Sequence, residues 1–234
     1  MTSLPSPGPT VDSPVPAGDG VPDSGTALAV LGMAAYGELA EFTRLAADSD
    51  HAPTLAGRLA VSRLARIARE RLDLIAARIE ELGGELEATM APFAGVLVEF
   101  DERTEPSTWW ERLVKGYVGY GVSDDFARTL AQGLDERTRE VMLEVLADDG
   151  HAALVIDAIA EEAVNDPTLS ARSALWGRRL FGEALAVVQG VIVDHPEIQR
   201  LLEGVVGEEG AQQTLFARLT AEHSRRMDRL GLAA

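Results

Sequence analysis

Apolar side chains recur along most of the chain at alternating spacings of three and four residues, which is the period of an amphipathic α-helix. Six substantial helices are predicted from this pattern, together with a short helix near residues 198–206. The first four substantial helices cover about residues 26–48, 53–82, 108–134 and 138–162. Long helices joined by mostly short connections predict an all-α protein folded as an up-down helical bundle.

Local signals at the helix ends refine this picture. Oxygen-bearing side chains that precede the second, third and fifth helices are expected to cap them, namely Asp50, Ser107 and Ser170. Three glycines weaken the third helix and predict a kink or a close helix contact, namely Gly116, Gly119 and Gly121.

The N-terminal segment has a different composition from the rest of the chain. Residues 1–25 are rich in Pro, Gly, Ser and Asp and contain no long apolar pattern, so they are expected to form a disordered tail. Residues 26–234 are then expected to form one helical domain.

A few ionisable residues interrupt the apolar stripes of the predicted helices: Glu38, Asp124, Asp148 and His151. Asp148 and His151 lie three residues apart, so a continuous helix over residues 138–162 places them on one face, one turn from each other. Burying such groups without partners is costly, so each is expected to be paired or to bind a ligand. Glu41 lies off the stripe of the first helix and is expected to be solvated.

The order of these residues matches that of a carboxylate-bridged metal site. In ferritin-like bundles, two helices each contribute one Glu and two contribute Glu-x-x-His, all pointing inward. Here Glu38 lies on the first helix, Asp124 on the third, and Asp148 with His151 on the fourth. Oxygen-rich ligation with one imidazole suits iron or manganese, so these four residues form a candidate metal site. Structural carboxylates paired inside the core are the alternative interpretation.

Several segments together resemble a known family. They are AYGELAEFTRLA, LVKGYVGYGVSDDFAR, EVLADDGHA, ALWGRRLFGEAL and FARLTAEHSRRMDRLGL. Over about residues 26–234 the chain resembles the actinobacterial ferritin-like proteins related to the tRNA isopentenyl-adenosine hydroxylases. The resemblance implies a ferritin-like four-helix bundle with additional C-terminal helices, and an ancestry among non-haem iron hydroxylases.

The second helix departs from the pattern of those relatives, which carry Glu-x-x-His there. Ala68 and Arg71 occupy the inward positions, and neither is a metal ligand. Two hypotheses follow. Either a degenerate site holds at most one iron or manganese ion and supports a hydroxylation or peroxide reaction, or the bundle is metal-free and acts as an interaction protein. In the second hypothesis the Arg71 guanidinium lies among the core carboxylates Glu38, Asp124 and Asp148 and neutralises them. Glu38, Arg71 and Asp148 are expected to form one compact cluster with His151 at its edge.

The remaining polar and aromatic residues suggest structural roles. Glu183 and His223 are expected to pair, as Glu–His or with an arginine, and so to tie the outer helices together. His51 and His195 lie at helix boundaries and are expected to be exposed. The tryptophans are expected to anchor the core or an interface. Exposed Trp and Val side chains on the outer helices favour self-association as a homodimer.

Composition narrows the partners. The formal net charge of −17 disfavours nucleic-acid binding, since an acidic surface repels phosphate backbones. The absence of cysteine excludes disulfides and thiolate metal sites. No apolar run approaches the length of a membrane span, and no secretion signal precedes the helices, so a cytoplasmic location is expected.

Overall fold

The computed structural model describes residues 24–147, 150–163 and 166–234, except the side chains of 161–163 and Pro167. Its α-helices are α1 Ser24–Asp48, α2 Leu55–Glu81, α3 Leu86–Met90, α4 Val98–Arg103, α5 Trp109–Val114, α6 Gly121–Ala131, α7 Glu136–Val145, α8 His151–Ala163, α9 Pro167–Asp194, α10 Pro196–Val206 and α11 Ala211–Arg229. Two 3₁₀ turns, Ser49–His51 and Ala91–Phe93, and a π-helical segment, Lys115–Tyr120, complete the set. These residues contain no strand, which confirms the all-α prediction. Within the same ranges, every helix is too short or too polar to cross a bilayer.

The first two helices form the long hairpin on which the rest of the bundle packs. α1 lies along α2 and also contacts α6 and α10, so side chains on several sides of α1 are buried. α2 buries a single stripe that includes Leu72, Ile75 and Ile79. Its cap is Thr54, whose side chain accepts a hydrogen bond from Gly57 N at 3.0 Å, so the prediction of Asp50 as the cap is wrong. Asp50 instead forms an ion pair with Arg58.

The third predicted helix consists of α5, the π-helical segment and α6, which follow one another directly. These three segments together are called the third column. Its capping box joins Thr108 and Glu111, so the cap lies one residue after the predicted Ser107. The predicted close contact is confirmed, because a Cβ on Gly119 would lie 2.8 Å from Phe100 Cζ. The wider turn of the π-helical segment takes the place of the predicted kink.

The fourth predicted helix is not continuous, and this prediction is wrong. α7 ends at Val145 and α8 begins at His151. Gly150 has a φ of +89°, a left-handed conformation that favours glycine and that no right-handed helix contains. Asp148 lies outside the described residues. The argument that helical spacing places it one turn from His151 therefore no longer holds.

The C-terminal helices complete the bundle. α9 packs against α5, the π-helical segment, α6 and α8, and α11 packs against α6 and α9. Asp166 caps α9 by accepting from Thr168 N at 2.8 Å, so the predicted cap Ser170 lies inside the helix. These contacts confirm a helical bundle with additional C-terminal helices.

Candidate functional site

A polar cavity of about 190 Å³ lies where α1, α2, the π-helical segment, α6 and α11 meet the start of α8. The described residues of its walls include seven acidic and basic side chains and one imidazole: Glu41, Asp124, Asp125, Arg71, Arg128, Arg226, Arg229 and His151. Tyr117 and Tyr120 of the π-helical segment supply aromatic rings to the same wall. The cavity is thus the place where ionisable groups from most of the long helices converge.

The glycines of the third column make room for the charged groups around this cavity. A Cβ on Gly116 would lie 3.1 Å from both Arg44 Nη2 and His151 Cε1. A Cβ on Gly121 would lie 2.5 Å from Arg226 Nε. The backbone approaches these side chains so closely that only glycine fits without a shift. Two of the three glycines that weaken the helix in sequence, Gly116 and Gly121, therefore shape the site.

The acidic residue that α1 contributes to the cavity wall is Glu41, so the prediction that Glu41 is solvated is wrong. Glu41 is 7% exposed, and its Oε1 lies 3.6 Å from His151 Nδ1. Glu38, one turn earlier, is also buried, at 6% exposure. Both positions are buried because α1 contacts neighbours on several sides, which widens its buried face beyond the predicted stripe.

Arg71 and Arg128 hold the chain where α7 ends. Arg71 donates from Nη2 to the carbonyl oxygen of Ala147, and Arg128 donates from Nη2 to that of Leu146 at 2.5 Å. Carbonyls at a helix C-terminus lack helical partners and carry partial negative charge, so guanidinium groups satisfy them well. Arg71 is therefore turned toward the protein, as expected. Its predicted cluster with Glu38 and Asp148 stays a prediction, because Asp148 lies outside the described residues.

Asp124 is a carboxyl of the cavity wall whose pKa is strongly raised. Burial raises the pKa of Asp124 to about 6, and the neighbouring negative charge of Asp125 acts in the same direction. The positive charges of Arg71 and Arg226 oppose this rise. Asp124 thus lies within electrostatic reach of Arg71, as the metal-free hypothesis expects.

Arg226 was not singled out from the sequence, yet it is the most enclosed cation of the wall. Its side chain is 7% exposed, and its Nη2 donates to Asp125 Oδ2 at 2.7 Å and to Gly121 O at 3.0 Å. The sequence carried a signal for this. Arg226 lies three residues after His223 and four before Leu230, both on the apolar face of the last helix.

The predicted metal ligands are only partly brought together. Asp124 and His151 line one cavity, whereas the α1 carboxylate in its wall is Glu41 rather than Glu38. Among the residues that the structure describes, no three His, Asp or Glu side chains are grouped closely enough to hold a metal ion. The four-residue set remains a prediction.

Glu183 and His223 contact different partners on the outer helices. Glu183 Oε2 lies 3.3 Å from Arg103 Nη1, which realises the Glu–Arg alternative at the surface rather than in the core. His223 is buried and stacks on Phe181 with ring centroids 4.1 Å apart. Burial, with the nearby charge of Arg226, lowers the pKa of His223 to about 4. His223 is therefore a neutral core residue near pH 7.

The boundary histidines and the tryptophans are placed mostly as expected. His51 is exposed, but His195 is half-buried and stacks on Phe93 at 4.3 Å, so the expectation for His195 is wrong. The tryptophans are half-buried against the core, and Trp176 Nε1 donates to Glu111 O at 2.9 Å.

Residues 24–205 match a protein family described as a ferritin-like domain of actinomycetes. Among curated proteins, none matches the chain.

Proposed function

Because this chain belongs to the family of ferritin-like domains of actinomycetes, we propose that it keeps the helical bundle but works as a metal-independent binding protein. The polar cavity is the proposed binding site. Arginine side chains supply there the positive charge that metal ions supply in carboxylate bundles. The observation that carries the proposal is Arg71 of α2, which lies in the wall and whose charge favours the ionised form of Asp124.

The donor set of the described residues does not fit the two-metal centre of a ferritin-like bundle. α2 brings Ala68 and Arg71 to its inner face, where such bundles use a carboxylate and an imidazole. The described residues contain no group of three potential ligands. A guanidinium in the cavity wall would also repel an incoming divalent cation. These features support a cavity neutralised by arginine.

A second candidate is a hydroxylase-type site with a single iron or manganese ion on Glu38, Asp124, Asp148 and His151. It follows from the resemblance to the tRNA isopentenyl-adenosine hydroxylases, and it is favoured by the shared cavity of Asp124 and His151. A bound iron would supply oxygen-activating chemistry, and Glu41 beside Nδ1 would orient the imidazole of His151. A tRNA substrate is not proposed, because the net charge of −17 opposes it.

Metal analysis after reconstitution separates the two candidates. The purified full chain is incubated with Fe(II) or Mn(II) without oxygen, desalted and measured by elemental analysis. We expect less than about a tenth of an equivalent, because no three His, Asp or Glu side chains of the described residues are grouped closely enough to hold an ion and the wall carries Arg71. Retention of one equivalent by the unaltered chain would overturn the proposal in favour of the single-metal site.

A matched variant tests whether the residues of α2 are the reason why the chain retains little metal. The double substitution A68E/R71H writes Glu-x-x-His at the two inner positions of α2 and should increase the metal retained, with helicity checked by circular dichroism. The control R69H adds an imidazole on the exposed side of the same helix and should leave the retained metal unchanged.

A further inference from the structure

Arg226 lines the polar cavity, and one of its hydrogen-bond donors has no partner among the described residues. Its Nη2 is occupied by Asp125 and Gly121, while its Nη1 is buried and has no hydrogen-bond partner among the described residues. Leaving a buried charged donor without an acceptor is costly, so such a group is expected to meet an acceptor in the functional state. The missing acceptor is therefore a clue to what the cavity binds.

The charges of the wall favour a negative ligand. Among the described residues, the cavity is lined by the four arginines 71, 128, 226 and 229 and by the three carboxylates Glu41, Asp124 and Asp125, so the formal charge of these residues is positive even with all three carboxylates ionised. The imidazole of His151 adds further polar capacity. A positive group of described wall residues inside a chain of net charge −17 is a local reversal of sign, and a low-dielectric wall focuses the field of these residues on small anions.

The geometry of Arg226 suits an oxyanion group. Asp125 and the Gly121 carbonyl fix the guanidinium from one side, so the free Nη1 keeps a defined direction without further ordering. A guanidinium donates to carboxylate or phosphate oxygens through charge-assisted bonds that are stronger than neutral ones. Gly121 is the residue that allows this placement, since any Cβ there would collide with the Arg226 guanidinium.

We propose that the polar cavity binds a small ligand through an oxyanion group, a carboxylate or a phosphate, held by Arg226 with Arg229 at the rim. This inference rests on the proposed function, because it names the ligand class of the same metal-independent site. Water would occupy the cavity when the ligand is absent, as expected for a polar space of this size.

Calorimetric titration of the metal-free full chain tests the inference, with inorganic phosphate and acetate as separate probes and chloride at equal ionic strength as the reference. Phosphate or acetate should bind with one-to-one stoichiometry, and the stronger of the two identifies the oxyanion. Arg226→Lys keeps a positive charge beside Asp125 but loses the paired N–H donors of the guanidinium, so it should weaken anion binding about tenfold.

A matched pair on α11 guards against a fold defect and against unspecific attraction. Arg229→Gln removes a charge from the cavity rim and should weaken binding about threefold. Arg225→Gln removes the same charge from an exposed residue that pairs with Glu222, and it should leave binding unchanged. No heat with either probe, or equal losses in the two glutamine variants, would overturn the inference. Metal retention measured on the same preparation tests the proposed function independently. If the chain retains no metal and binds neither anion, the oxyanion inference is refuted and the proposed metal-independent function is not.

Discussion

At the residue scale, Arg71 links two parts of the site. It donates to the Ala147 carbonyl and acts on the charge of Asp124. Arg71→Leu should therefore lower the free energy of unfolding by about 3 kcal/mol, because a carbonyl and a buried carboxylate lose their cationic partner. Urea unfolding of Arg69→Leu is the control, since Arg69 forms an exposed pair with Asp73 on the same helix and should cost less than about 1 kcal/mol. Equal midpoints for the two variants would show that Arg71 is not structural.

Asp124 and His223 should give opposite pH trends. The pKa of Asp124 is raised to about 6, so between pH 4 and 6 the folded chain keeps a proton that the unfolded chain releases. The free energy of unfolding therefore falls as pH rises through this window. In Asp124→Asn this loss is absent, and the stability of the variant relative to the unaltered chain should rise by about 3 kcal/mol from pH 4 to pH 7.

The pKa of His223 is lowered to about 4, so on acidification the unfolded chain takes up a proton that the folded chain refuses. Its contribution to stability is complete above about pH 6.5 and is lost as pH falls toward 4. His223→Leu should gain about 3 kcal/mol relative to the unaltered chain from pH 7 to pH 4. Chemical unfolding at several pH values measures both differences. Trends of the same sign in the two variants would contradict this assignment.

The sequence predicted some of these residues better than others. Asp124, His151 and Arg71 were identified because each interrupts or borders a clear stripe, and all three line the cavity. Glu41 and Arg226 were missed, because a stripe marks the centre of a buried face and not its edges. How far the edges are buried depends on how many neighbours a helix has, which one helix's own pattern does not contain.

At the scale of elements, the glycines of the third column connect helix geometry to the site. Gly121→Ala places a Cβ 2.5 Å from Arg226 Nε, so the guanidinium must leave Asp125. We expect a loss of about 1–2 kcal/mol in the free energy of unfolding, although alanine is the better helix former. Gly182→Ala in α9 meets nothing within 4 Å and should instead gain about 0.5–1 kcal/mol. Stabilisation by both alanines, measured by urea unfolding, would contradict the role given to Gly121.

Helix existence was predictable, but helix continuity was not. The apolar repeat identified α1, α2, the third column and α9, because burial on one face demands that period. The break after Val145 escaped because its apolar stripe continues in register on both sides. Gly150 was a signal for the break, since its φ is left-handed. The bonds from Arg71 and Arg128 to the end of α7 are tertiary contacts, and the pattern of a single helix does not contain them.

At the scale of the whole molecule, charge is distributed unevenly. The chain carries a net charge of −17, yet the described residues in the wall of the polar cavity sum to a positive formal charge. A long-range field of this sign is expected to repel nucleic acids and other polyanions, while the short-range field of these wall residues is expected to favour the small anion proposed as the ligand. The net charge follows from the composition, whereas the positive charge of the described wall residues follows only from the folded arrangement.

The exposed apolar surface of α9 supports the prediction of a homodimer. Leu175 and Val193 are 63% and 66% exposed, and they lie five helical turns apart on the same side of α9. The tryptophans, which were expected to contribute, pack against the core instead, so the exposed aliphatic residues carry the prediction.

Light scattering after size exclusion should give twice the chain mass of 25.0 kDa. The variant L175E/V193E should elute as a single chain, because a buried carboxylate at an interface is costly. Leu74→Glu changes an exposed leucine of α2 and should leave the dimer intact. A mass of one chain for the unaltered protein would refute the dimer, and dissociation by Leu74→Glu would move the interface to α2.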